Sequence, residues 1–187
     1  KITSLHEIHK YSNIEIPTLG FIPFVKDKME VSQLIVDKRP KSMLTESFRS
    51  LRTNLQFINN EEDSKIIAVS STISGEGKTF IAINLGGIIA FTGKKVIILD
   101  LDMRKPKIHL ALGSNNKKGM SEILSKKSKI VDCIKNSSIE YLDYITAGTL
   151  PPNPSELIVS KSLDKTLDEL KKTYEFIIID NPPVGLV

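Results

Sequence analysis

Ile66-Ile67-Ala68-Val69-Ser70-Ser71-Thr72-Ile73-Ser74-Gly75-Glu76-Gly77-Lys78-Thr79 is the stretch that decides the fold. An apolar run of strand length empties into a loop of small residues, and a helical pattern begins at Lys78. Glycines let successive backbone N–H groups turn inward around phosphate oxygens, and the helix N-terminus beside them adds about half a positive charge. Lys78 is placed to reach β- and γ-phosphates, and the Thr79 hydroxyl to ligate Mg²⁺. The strict pattern has glycine where this chain has Thr72. The intact Gly-Lys-Thr, with a strand before it and a helix after it, restores the match against a chance turn. A dinucleotide fingerprint fits less well, because its third glycine falls on Phe80.

Two further stretches place acids where such a loop needs them. Val96-Ile97-Ile98-Leu99-Asp100-Leu101-Asp102-Met103-Arg104 carries two carboxylates at the end of an apolar run. Phe176-Ile177-Ile178-Ile179-Asp180-Asn181-Pro182-Pro183 carries a third at the end of another. In an open α/β sheet, ligands bind outside the carboxyl ends of the strands. Asp100 and Asp102 alternate by two, so in an extended segment both side chains point the same way. Mg²⁺ takes one or two carboxylates and keeps several waters, so three acids suit one metal and an attacking group. Each aspartate alone reads equally well as a strand-end turn residue.

Outward from these motifs the pattern alternates strand with helix. Ser4-Leu5-His6-Glu7 reads as a capping box that opens a short helix. Leu19–Phe24 reads as a short strand, and Arg39-Pro40 as a turn. Leu44, Phe48, Leu51, Leu55 and Ile58 recur at helical spacing and predict a helix over 42–58. Asn59–Asp63 is a polar break. Ile66–Val69 is apolar on both faces, as in a strand covered on both sides. A helix is predicted over 78–92, with Gly86-Gly87 permitting close packing and Gly93 ending it. Short helices are expected over 106–112 and 119–135, a strand over 141–145, a Pro-rich loop over 147–154, and a helix over 154–173 bent near Ser160. Strands separated by such helices predict a doubly wound, mostly parallel α/β sheet with helices on both faces.

Composition is that of an ordinary globular chain: 187 residues, 40% hydrophobic and 26% charged. Its 26 Lys+Arg against 22 Asp+Glu give a formal charge of +4, without the clustering expected of a nucleic-acid binder. The lysine pairs read as solvated element ends, with an anionic phospholipid surface as the alternative. One cysteine, Cys133, excludes an internal disulfide framework. His6, His9 and His109 show no metal-site spacing. No apolar run reaches the roughly 18 residues of a membrane span. The chain begins at Lys1 and ends just after a strand motif, and it is read as part of a longer protein.

Taken together, the phosphate loop, Leu99–Pro106 and the Asp180-Asn181-Pro182-Pro183 motif resemble the bacterial tyrosine kinases of capsule and exopolysaccharide export. Glu46-Ser47-Phe48-Arg49-Ser50-Leu51-Arg52 is similar to that family's Glu-x-x-Arg-x-x-Arg oligomerisation helix, and Gly148–Leu157 to the loop before its final helix. The opening stretch resembles the segment that follows a membrane helix in members fused to a chain-length determinant. Residues 1–40 then form a juxtamembrane extension, and 41–187 a kinase domain that stops short of its last strands and a tyrosine-rich tail. Tyr11, Tyr141, Tyr144 and Tyr174 are scattered, and read as structural residues rather than as that tail. Partition ATPases of the ParA/MinD type share the deviant loop and fold but carry lysine where this chain has Ile73.

The resemblance implies ATP-dependent phosphorylation of tyrosines on a neighbouring copy, with ADP as product and Mg²⁺ as cofactor. Cofactor contacts fall on Ser74, Gly75, Glu76, Gly77, Lys78, Thr79 and Phe80. The implied catalytic set is Lys78, Asp100, Asp102 and Asp180, and the metal set is Thr79, Asp102 and Asp180; which of Asp100 and Asp102 is the base stays open. Glu46, Arg49 and Arg52 are the implied oligomerisation contacts of a ring-shaped homo-oligomer, against a plain surface pair as the alternative. Further implied partners are the inner membrane (through a transmembrane part outside this chain), the polysaccharide export machinery and a tyrosine phosphatase. Nucleic acid is not among them. The domain itself is expected in the cytoplasm. A non-kinase ATPase switch and a nucleotide-binding scaffold are the competing functions.

Overall fold

The computed structural model describes residues 17–24, 32–58 and 64–186. The capping box at Ser4, the polar break over 59–63 and Tyr11 lie outside them. Among the described residues two helices come first, α1 (Ile35–Lys38) and α2 (Met43–Ile58). Strand β1 (Lys65–Val69), helix α3 (Lys78–Ala90) and strand β2 (Val96–Asp100) follow. Then come α4 (Ile108–Ala111), α5 (Met120–Leu124), a 3-10 turn (Ile130–Asp132), β3 (Lys135–Asn136) and β4 (Leu142–Ile145). The chain continues through α6 (Pro154–Ile158), α7 (Lys161–Leu170), β5 (Phe176–Asp180) and a 3-10 turn (Val184–Leu186).

Among the described residues the sheet order is β1-β5-β2-β4-β3, parallel except for the short β3–β4 pair. This is the mostly parallel α/β sheet that the alternation predicts. One face packs on α1, α2 and α3, through residues such as Phe48, Ile83, Ile88 and Ile98. The other packs on α5, α6 and α7, through Ile97, Leu99, Ile123, Leu170 and Ile177. β2 is buried at every position, as a central strand covered on both faces must be.

Close approach on the first face requires small residues. A Cβ on Gly86 would lie 2.9 Å from Ile98 Cδ1, and one on Gly87 would lie 2.8 Å from Val36 Cγ2. In α2, Phe48 and Leu51 are buried and Leu44 and Leu55 partly so, as their spacing predicts. The bend near Ser160 is a complete break: Ser160 separates α6 from α7 with an extended backbone.

Four expectations need correction. Leu19–Phe24 is not a strand; interrupted by Gly20 and Pro23, it lies irregularly over α2, with Asn54 Nδ2 donating to the Leu19 carbonyl at 2.6 Å. Residues 119–135 are not one helix, because α5 stops at Leu124 and Lys126 takes a left-handed backbone (φ 60°). Among the described residues β1 stands at the end of the sheet order and is covered on one face only, with Ile66 40% exposed. Finally, Tyr144 and Tyr174 are buried, but Tyr141 is 46% exposed in a left-handed turn before β4.

Candidate functional site

Register builds the site. Val69, Asp180 and Asp100 are aligned across β1, β5 and β2, so the phosphate loop starts level with two of the carboxylates. The loop needs left-handed backbone at Gly75 (φ 92°) and Gly77 (φ 95°), and glycine adopts it at no steric cost. Gly77 stands before the first turn of α3, where Lys78 and Thr79 are buried. Ser74, Gly75 and Glu76 are exposed, and Gly77 is partly so. Phe80 turns its ring into the core against Phe48, 5.9 Å between centroids, leaving its backbone to the loop.

Thr79 Oγ1 donates to Asp180 Oδ2 at 2.6 Å. Asp180 Oδ1 is buried and has no hydrogen-bond partner. Burial pushes the Asp180 carboxyl up to about 6, and the hydroxyl of Thr79 and the charge of Lys78 work against that rise. A buried, half-satisfied carboxylate touching a threonine hydroxyl is a donor set that fits a hard cation. Among the described residues no three His, Cys, Asp or Glu side chains gather to hold a metal by themselves. A cation here would complete its shell with phosphate oxygens and water.

Asp100 and Asp102 do not share one environment. The extended run stops at Asp100, and the chain turns at once, Met103 N–H donating to the Leu101 carbonyl at 2.9 Å. Asp100 is wholly buried and accepts from two backbone amides, Asp102 N–H at 3.2 Å and Ile108 N–H at 3.2 Å. Burial, then the charge of Asp180, pushes its carboxyl well above the usual range. Asp102 stays partly exposed and accepts from Lys105 N–H at 3.0 Å. The two carboxylates therefore differ in burial and in backbone partners, while the charge of Asp102 still acts on both Asp100 and Asp180.

Several contacts that support the site were not legible in the motifs. The Glu76 carboxylate accepts from Thr72 N–H at 3.0 Å and Ile73 N–H at 3.2 Å, closing the loop on itself. Val184 and Gly185 N–H donate to the Ser71 and Thr72 carbonyls, so the segment after Asp180 grips the loop's incoming arm. Asn84, wholly buried in α3, accepts from Ile35 and Val36 N–H and donates to the Gln33 and Phe80 carbonyls. A lone asparagine in the apolar run Ile81–Ile89 is the signal that could have marked it. Glu122 receives Gly119 N–H, Thr149 N–H and the Thr149 hydroxyl, and so fixes the Gly148–Pro152 loop.

The Glu46/Arg49/Arg52 helix divides. Glu46 and Arg49 pair with each other on the exposed face of α2, and Arg49 also donates to the Pro40 carbonyl. Arg52 turns inward and donates to the Ile88 carbonyl at 3.2 Å.

Residues 64–186 match the family model described as an AAA domain. The chain is 40% identical over 162 residues to CapB of Staphylococcus aureus, whose name marks it as a candidate tyrosine-protein kinase. That alignment spans 87% of this chain and 71% of CapB. It is 38% identical over 153 residues to the tyrosine-protein kinase wzc of Salmonella typhi, across 82% of this chain but 21% of wzc. The crystal structure of the chimerical protein CapA2B2 superposes with a TM-score of 0.87 at 38% identity, over 98% of this chain and 77% of that one. The septum site-determining protein MinD of Pyrococcus horikoshii, complexed with Mg-ADP, is more distant. Its TM-score is 0.56 at 26% identity, over 64% of this chain and 49% of that one.

Proposed function

This chain belongs to the bacterial tyrosine kinases, and from that premise we propose that it moves the γ-phosphoryl group of ATP onto tyrosine hydroxyls of a neighbouring copy, so regulating capsule or exopolysaccharide polymerisation and export. The observation that carries the reading is the contact of Thr79 with Asp180 at the level where β1, β5 and β2 end together.

The loop amides from Ser74 to Phe80 and the Lys78 ammonium hold the phosphates. Thr79 and Asp180 are the residues that would hold Mg²⁺, with Asp102 within reach of the same charges. Magnesium bound there neutralises charge on the phosphate oxygens. Of the two acids left open as base, Asp102 is favoured, because both Asp100 oxygens already accept backbone N–H groups. Asp100 then acts as a positioning residue for the turn that presents Asp102. In the transfer, the bond from Pγ to the β,γ-bridging oxygen breaks and its electron pair leaves with ADP. The phenol oxygen bonds to Pγ, and its proton passes to Asp102. A phenol with a pKa of about 10 gains from such a positioned acceptor.

The self-contact falls to α2 in this reading, with Glu46 and Arg49 on its exposed face and Arg52 anchoring it to α3. A ring-shaped homo-oligomer, an inner-membrane anchor outside this chain, export machinery and a tyrosine phosphatase follow from family resemblance. Among the described residues, no helix is long and apolar enough to cross a membrane.

The test is phosphotyrosine mass spectrometry on the full-length protein incubated with ATP. Lys78→Met should abolish the signal, and an undiminished signal would count against the site. ATP hydrolysis by the wild type with no phosphotyrosine would favour a MinD-type switch, the reading that the shared fold also supports.

A further inference from the structure

An open cleft of about 670 Å³ lies on the α5–α7 side of the sheet, between the turn after α5, the 3-10 turn Ile130–Asp132 and α7. Ligand pockets run to roughly 300–1,000 Å³, so its size suits one side chain or a small molecule. None of its lining belongs to the phosphate loop or to the aspartate segments.

Its charge is one-sided. Lys118, Lys126, Lys127, Lys129 and Lys165 line it, against Asp132 and Glu169. By sequence these lysines read as solvated ends of separate elements. Folding brings Lys165 of α7 to the same cleft as the Lys118–Lys129 segment. All five are exposed, and among the described residues none of them forms a salt bridge. A cleft walled by one sign of charge concentrates the field and draws in ions of the other sign.

The lysine-bearing turn is held in place. Two residues past α5, Lys126 takes a left-handed backbone (φ 60°), where glycine is the usual residue. Its N–H donates to the Ile123 carbonyl at 2.9 Å. Lys127 N–H and Ser128 N–H donate to the Glu122 carbonyl at 2.8 and 3.2 Å. The ammonium groups therefore project from an anchored turn.

The rest of the lining selects among anions. Thr166 spends its hydroxyl hydrogen on the Ser162 carbonyl at 2.8 Å, so Ser128 and Ser162 supply the neutral hydroxyl donors. Ile130 and Val131 form an apolar wall beside the lysines, and Val131 is 71% exposed. Phosphate oxygens suit ammonium and hydroxyl donors, and an aromatic ring suits the apolar wall. A phosphotyrosyl side chain carries both, with roughly 1.5 to 2 negative charges at neutral pH. A lipid bilayer presents a plane of headgroups, which a concave cleft meets only at its rim.

We propose that this cleft is a phosphotyrosine-binding site, in which the lysines hold the phosphate and Ile130 and Val131 cover the ring. Its occupant is a phosphotyrosyl segment of a neighbouring copy, so the cleft links chains that have been phosphorylated. That source of ligand rests on the kinase reading above.

The experiment uses full-length protein, dephosphorylated beforehand and saturated with Mg-ADP so that the nucleotide loop is occupied. Binding of a fluorescein-labelled synthetic phosphotyrosyl peptide is read by fluorescence anisotropy. The wild type should bind it about tenfold more tightly than the tyrosyl or phosphoseryl version. Lys129→Glu/Lys165→Glu should weaken binding about tenfold or more, with melting temperature and ATP affinity unchanged, because both side chains are exposed. Val131→Ser should narrow the preference for the phosphotyrosyl over the phosphoseryl peptide. Equal binding of the phosphotyrosyl and tyrosyl peptides, or unchanged binding in the double variant, would overturn the proposal. So would inorganic phosphate that competes at the peptide's own concentration, which would leave a site for free phosphate. Phosphatidylserine vesicles that hold the wild type but not the double variant, with no peptide bound by either, would reassign the cleft to a membrane. Protein that makes phosphotyrosine yet does not bind the peptide sinks this proposal alone. Protein that binds the peptide but makes no phosphotyrosine keeps the site and removes the kinase reading.

Discussion

Thr79 Oγ1 and Asp180 Oδ2, 101 positions apart in the chain, lie 2.6 Å from each other and join the first turn of α3 to the end of β5. Asp180 Oδ1 is buried and unpaired, and this pair is the one we propose to hold Mg²⁺. Asp180→Asn should therefore weaken Mg-ATP binding by about tenfold or more, roughly 1.4 kcal/mol per decade. Chelating magnesium with EDTA should weaken ATP binding to the wild type and change little in the variant. Calorimetric titrations with and without EDTA check both. Because burial disfavours the charge on Asp180, the ligand-free variant should melt no lower than the wild type.

Asn84 should be a stability residue of the first rank. Its amide meets Ile35 N–H at 2.7 Å, Val36 N–H at 3.2 Å, and the Gln33 and Phe80 carbonyls at 2.9 Å each. Asn84→Ala strands these backbone groups inside the protein. A loss of about 2–4 kcal/mol in urea unfolding is expected. ATP affinity should fall with it, since Phe80 closes the first turn after the phosphate loop.

Glu122 gives a pH signature. Burial pushes its carboxyl up, but hydrogen bonds from Thr149, Gly119 and Ser121 outweigh that and hold it below the ordinary value. The folded state thus favours the ionised form. Its stabilisation is complete above the unfolded pKa of about 4.3 and is lost as pH falls through the lowered folded value. Thermal melts of the wild type and Glu122→Gln should differ most above that range and converge below it. Proteolytic cleavage in the Gly148–Pro152 loop should rise in the variant at neutral pH.

Arg49 and Arg52 should separate assembly from folding. Arg49 is paired only at the surface, so Arg49→Ala should cost about 0.5 kcal/mol or less. Arg52 reaches the Ile88 carbonyl, and its Nε is buried without a partner, so Arg52→Ala should shift the melting temperature measurably. If α2 is the contact between copies, Arg49→Ala lowers the oligomer size in sedimentation velocity at unchanged stability. An unchanged assembly would return the Glu46–Arg49 pair to an ordinary surface role.

Local chemistry was legible from the residues. The left-handed glycines at 75 and 77, the start of α3 at Lys78, the stripe of α2 and the break at Ser160 each depend on neighbours a few positions away. The failed expectations were those that local pattern cannot decide. Ile66–Val69 reads like a central strand, yet among the described residues it stands at the end of the sheet order, a position that depends on which strands lie beside it. The 119–135 stretch has helical spacing, but Gly119 fits directly under the Thr146 carbonyl and Lys126 turns the chain, which ties its path to β4.

By itself, the sequence determined that a phosphate loop and three strand-end aspartates exist, because backbone conformation at glycine and the periodicity of apolar residues act over a few ångströms of chain. Only the tertiary structure decided that Asp180 meets Thr79, that Asp100 turns inward while Asp102 stays accessible, and that lysines of two separate segments line one cleft. Those outcomes follow from strand order and register, which bring together groups as far apart as 101 positions, and no local propensity encodes such pairings.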